Sequence, residues 1–106
     1  MNVLKVSSTS DPCSAAGAIA NGIREVGRAE LQVIGPRAVN QAVKAIAISR
    51  GYLAPSGVDV YCIPSFSTVH ILDSDGDQEK TAIHFTITSR HRCVGKTVTG
   101  SGSAIM

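Results

Sequence analysis

Histidine, cysteine and a run of aspartates are the side chains in this sequence best suited to chemistry. His70 and His84 fall at even positions of two adjoining alternating segments. With Cys62 or Cys93 they would offer the nitrogen and sulfur donors that hold zinc. No recognised ligand spacing joins them, so a solvent-facing histidine pair without metal is expected. Asp73, Asp75 and Asp77 alternate in DSDGDQE as the first ligands of a calcium loop do. Such a loop places its glycine sixth between two helices, whereas Gly76 comes fourth here, between strand-like flanks. The run reads as an acidic hairpin. GSGSA near the C-terminus lacks the lysine and the strand–helix setting of a phosphate loop, and no nucleophile elbow is present. Without paired carboxylates or a serine–histidine constellation, neither catalysis nor a cofactor is expected. The function must then lie in binding or assembly.

Composition narrows this further. A length of 106 residues suits one domain, and 43% hydrophobic content without tryptophan suits a core of small aliphatic side chains. The opening MNVLKVSS has neither the basic nor the apolar part of a secretory leader. No apolar run approaches the roughly 20 residues of a membrane span. The cysteines are three in number and lack CxxC spacing, which points to free thiols in a reducing compartment. A cytoplasmic protein with no membrane partner is expected. The net charge of +2 is unevenly placed: residues 90–106 carry Arg90, Arg92 and Lys96 and no acid. Residues 1–89 are left with seven bases against eight acids, so a nucleic-acid site on the body must come from local clustering.

Val3 to Val6 is predicted as a short strand, followed by the polar loop SSTSDP. Ser10 or Asp11 can cap a helix whose first turn tolerates Pro12. On a 3.6-residue period Ala15, Ala16, Ile19, Ile23 and Val26 form one stripe, and Gly27 is placed to end the helix. Leu31 to Ile34 is a second strand. GPRAVNQAVKAIAISRG, from Gly35 to Gly51, is a second helix with proline at its start and glycine at its stop. Val58, Val60 and Cys62 then alternate as a strand, but farther on Val69 and Ile71 are the apolar members. That change of parity predicts a bulge or kink near Pro64–Ser67, since one extra residue flips the face. LDSDGDQEK turns into a last strand, where Thr81, Ile83, Phe85 and Ile87 share one face and Ala82, His84, Thr86 and Thr88 the other. The order β-α-β-α-β-β, with right-handed crossovers, gives an α/β (α+β) two-layer sandwich. Both helices then lie on one face of a four-stranded mixed sheet. Residues 1–89 form this domain and 90–106 a basic Gly/Ser/Thr-rich tail.

The second helix shows three faces on a helical wheel. Val39, Val43 and Ile46 are expected as its core stripe. Ala38, Ala42, Ala45 and Ser49 make a ridge of small side chains that lets another backbone approach, and Ile48 would be wasted in water. Those five residues are therefore expected at an oligomer interface. Arg37, Asn40, Gln41, Lys44 and Ile48 form the third face.

The segments LKVSS, SAAGAIA, IRE, AELQVIG, AVNQAVKAIAISRGYLAPSGVDVYCIPSF and TAIHFTI resemble the stage V sporulation protein S family. More distantly, that family is similar to Alba, a dimeric chromatin and RNA-binding protein with the same element order. The resemblance implies an Alba-like domain, self-association through the second helix, and a sporulation-linked regulator that binds DNA or RNA as a homodimer or higher oligomer. In Alba-like proteins an arginine in a Gly-Arg-Ala setting leads into the second helix, and Arg37 followed by Ala38 matches it. Asn40–Gln41 occupy the next basic position of that pattern and Lys44 is a base of this family's own, so Arg37, Asn40, Gln41 and Lys44 are the expected nucleic-acid-binding set. The alternative is a self-assembling structural or scaffold protein without nucleic acid. It draws on the uncharged loop Ser7–Ser10 and on a hairpin where Asp73, Asp75, Asp77 and Glu79 face Lys80 alone. Phosphate would be repelled by such a tip.

Overall fold

The computed structural model describes residues 3–73 and 76–90. The elements are β1 (Val3–Val6), α1 (Pro12–Val26), β2 (Arg28–Val33), α2 (Pro36–Leu53), a short 3-10 turn (Ala54–Ser56), β3 (Asp59–Asp73) and β4 (Gly76–Arg90). The sheet runs in the order β1-β2-β4-β3, with β1 parallel to β2 and the other pairs antiparallel. This is the expected β-α-β-α-β-β sandwich. The expected tail lies, beyond Arg90, outside the described residues, as does Cys93.

Local signals set the helix ends. Asp11 caps α1 by accepting from the N–H groups of Cys13 and Ser14 at 3.4 and 3.3 Å. The Ser14 hydroxyl, donating to the same carboxylate at 2.9 Å, is the main reason its pKa falls below the ordinary aspartate value. The Cys13 N–H adds to that shift. Gly27 ends α1 with φ of 77°, and Gly35 enters α2 with φ of 91°, a conformation that side-chain-bearing residues rarely adopt.

The register puts Leu31 and Val33 of β2, Phe85 and Ile87 of β4, and Val60 of β3 on one sheet face. There they join Ala16, Ile19, Ala20 and Ile23 of α1 in a single buried cluster. The alternation expected for the last strand holds, with Phe85 and Ile87 inside. Thr81, past the end of β2, whose pairing stops at Ile83, is exposed.

Gly51 does not stop α2, which runs on to Leu53, and three further expectations differ from the structure. The small-residue ridge of α2 faces inward: Ala38, Ala42, Ala45 and Ser49 are 0–2% exposed within a single chain. Val43, expected in the core, is 50% exposed, and Val39 and Ile46 are only half-buried. The helix is therefore rotated about a quarter-turn from its expected setting, at 3.6 residues per turn. α1 and α2 pack against each other, and the small side chains of Ala38, Ala42, Ala45 and Ser49 let them approach closely, so volume outweighs hydrophobicity along this stretch. Within one chain the ridge presents almost no surface to a second copy, and Ile48 is half-buried against the chain's own core. Second, no bulge occurs near Pro64–Ser67, for β3 and β4 pair without a break from Asp59–Arg90 to Asp73–Gly76. β3 is an edge strand, where proline is tolerated without one. The parity changes because the hairpin outruns the body. Third, Val26 is 63% exposed, and Ala20 takes its expected place in the α1 stripe.

Candidate nucleic-acid interface

β1 and β2 both end on the side of the sheet from which the β3–β4 hairpin projects. Residues 67–73 and 76–82 extend beyond β2 as an arm, about 23 Å long at 3.3 Å per residue. The loop after β1, the start of α2 and this arm therefore share one end of the molecule. Between them runs a groove with Lys5, Ser8 and Arg37 on the body and Val69, His70 and Ile71 on the arm.

Of the four residues expected to bind nucleic acid, Arg37, Asn40 and Lys44 are exposed. Arg37 and Lys44 sit seven residues apart on one helix face, about 10 Å at 1.5 Å per residue. Among the described residues neither is held in an ion pair. Arg50 and Arg28, by contrast, are engaged by Asp59 and Glu30 at 3.1 and 3.6 Å. The start of α2 has no side-chain cap and no acid in its first turn. Its first N–H groups and the positive end of its dipole are thus free to attract an anion.

Gln41 behaves differently. It is half-buried, and its Nε2 donates to the Ser10 carbonyl at 2.9 Å, so one of its N–H groups is engaged inside the fold. It turns toward α1, while Arg37, Asn40 and Lys44 turn outward. The loop it reaches is closed on itself. Ser7 N–H donates to Ser10 Oγ at 2.9 Å, Ser10 N–H to the Ser7 carbonyl at 3.1 Å, and Thr9 N–H to Ser7 Oγ at 3.3 Å. Ser8 lines a second recess with Pro36, Arg37, Asn40 and Gln41. Lys5 and Ser8 are not among the expected site residues; Ser8 is signalled by the hydroxyl-rich stretch between a strand and a capped helix, and Lys5 by a lone base near the end of β1.

The histidines do not form a pair. Paired residues of β3 and β4 have numbers of opposite parity, so His70 and His84, both even, lie on opposite faces of the hairpin. His70 stands beside Asp77 and Glu79 at 3.4 and 4.0 Å on the arm. His84 bonds Glu30 at 2.8 Å on the sheet face away from the helices. Cys62 is half-buried, and burial raises its thiol pKa. Among the described residues no three His, Cys, Asp or Glu side chains are grouped to hold a metal ion, and no helix is long and apolar enough to cross a membrane.

The same architecture occurs in a solved structure, Alba from Thermoplasma volcanium. The two superpose with a TM-score of 0.62 at 16% identity, over 82% of this chain and 99% of that one. At that identity the likeness concerns the fold, which is therefore Alba-like. The sequence model of stage V sporulation protein S matches residues 2–90. That match takes in every described element, and the chain belongs to the stage V sporulation protein S family.

Proposed function

We propose that this protein is an oligomeric nucleic-acid-binding regulator that grips the phosphate backbone of DNA or RNA with the exposed face of α2. The observation that carries the reading is the outward trio Arg37, Asn40 and Lys44 on a helix whose start is uncapped. Arg37 offers a forked donor set and Lys44 a point charge, and at about 10 Å apart along the helix they can reach separate phosphates. Two copies would supply four cationic contacts. The log-affinity against log-salt slope for duplex DNA should then lie near −4, at about −0.9 per contact. Filter binding across a salt series tests this: Arg37→Gln with Lys44→Gln should nearly flatten the slope, and removal of residues 90–106 should change it little. Absence of measurable affinity for DNA and RNA at low salt would refute the reading.

Self-assembly has its own support. Val43 is on the side of α2 that carries Arg50, which bonds Asp59 of β3. Phe66, 81% exposed, lies on the helix-side face of that same edge strand. A second copy covering this edge would bury both side chains. If assembly is the whole function, Val43→Arg lowers the solution mass while no nucleic acid binds.

A further inference from the structure

The loop Ser7–Ser10 contains no base, so any contribution it makes to binding must come from hydroxyl and N–H groups. Such donors are directional and weaken steeply when misplaced, whereas a lysine on its flexible stem tolerates displacement. A loop of this kind is useful only if its position is fixed in advance. Two observations show that it is fixed. Its internal bonds make it a compact unit, and Gln41 ties that unit to α2 across 31 residues of sequence.

We propose that Gln41 is a positioning residue, a strap that holds the Ser7–Ser10 loop so that Ser8 shares one recess with Arg37 and Asn40. The proposal rests on the nucleic-acid reading above and adds to it a neutral contact, Ser8, and the residue that places it. Ser7, Thr9 and Ser10 spend their hydroxyls on one another, while Ser8 lines both the groove and the recess beside Arg37. Arg37 supplies attraction and Ser8 a fixed donor at the same phosphate. The strap sets the distance between them.

The test is a double-mutant cycle read by duplex-DNA affinity at low salt, with salt slope and melting temperature recorded for each variant. Gln41→Met keeps the length and helix preference of the side chain but cannot donate to the Ser10 carbonyl. It should weaken binding roughly three- to tenfold, the range of one or two lost neutral hydrogen bonds. Ser8→Ala should do the same, and the double variant should bind no worse than either single one. The salt slope should not change, because no charge is removed. If the two losses multiply, Gln41 contacts the ligand independently and the strap is refuted. Unaltered binding in either single variant also refutes it, even where Gln41→Met melts earlier. If wild-type protein binds no nucleic acid, the broader reading fails and the strap's function fails with it. Full wild-type affinity in Gln41→Met sinks the strap alone.

Discussion

Ala42 separates the two settings of α2 most sharply. Its side chain is 0% exposed, in the cluster shared with Ala16, Ile19, Ala20 and Ile23 of α1. Ala42→Leu would insert three more carbon atoms where the two helices and the sheet already meet. Overpacking of this kind costs about 1–3 kcal/mol. For a domain of this size each 1 kcal/mol lowers Tm by roughly 4–8 °C, so the loss should fall between roughly 4 and 24 °C. Because the defect lies inside one chain, the shift relative to wild type should hold across protein concentrations. A defect at a subunit contact would instead vary with concentration. The comparison is Val43→Asn, at a half-exposed position on the same helix, which should cost about 0.5 kcal/mol or less within one chain and vary with concentration only where this side meets a second copy. Calorimetry at two concentrations, with mass from light scattering, reads both variants. If Ala42→Leu melts like wild type but runs at a lower mass, the ridge faces a partner and the packing described here is wrong.

Other perturbations reach other parts of the fold. Glu30→Ala breaks the 2.8 Å bond to His84 between two mostly buried side chains and should cost about 1 kcal/mol, visible as a lower denaturant midpoint. No change would mean that the bond is made equally well to water. Asp11→Ala should lower the melting temperature at neutral pH by uncapping α1. The folded pKa of Asp11 is depressed, so the cap contributes above the unfolded aspartate value and fades as pH falls through the folded one. The gap between Asp11→Ala and wild type should therefore close in acid, and a gap constant with pH would contradict that assignment. In a Cys93→Ser background, iodoacetamide should modify exposed Cys13 faster than Cys62, whose raised pKa leaves less thiolate at neutral pH. Equal rates would show that Cys62 is not shielded as described.

Much of the fold could be read from the sequence because its signals are local. Asp11, Gly27, Gly35 and Pro36 mark helix ends by backbone chemistry, and the alternation of Ile83, Phe85 and Ile87 marks a sheet face. The rotation of α2 could not be read that way. Val39, Val43 and Ile46 outrank alanine on any hydrophobicity scale, yet the buried side of α2 from Ala38 to Ser49 is made of small side chains. That choice is set by the distance between two helices, a tertiary quantity. The parity change along β3 misled for a related reason. A bulge and an arm that outruns its sheet both move apolar residues to the other face, and only the pairing partner distinguishes them.

Gln41 shows how far wheel position can carry a site assignment. On the wheel it falls beside Arg37 and Lys44, and that neighbourhood suggested one polar face with one role. In the fold the same face splits along its length. The outer part looks to solvent, while the part nearer α1 meets the carbonyl that precedes the α1 cap. A glutamine at the boundary has a choice between water and a fixed acceptor, and the fixed acceptor also shapes the neighbouring loop. Charge on α2 then depends little on geometry, since Arg37 and Lys44 reach phosphate through long side chains. The hydroxyl loop depends on geometry almost entirely. If both take part in binding, weakening by salt should come from the first and discrimination between ligand shapes from the second. Gln41→Met should therefore narrow the difference in affinity between duplex and single strand while leaving the salt slope alone.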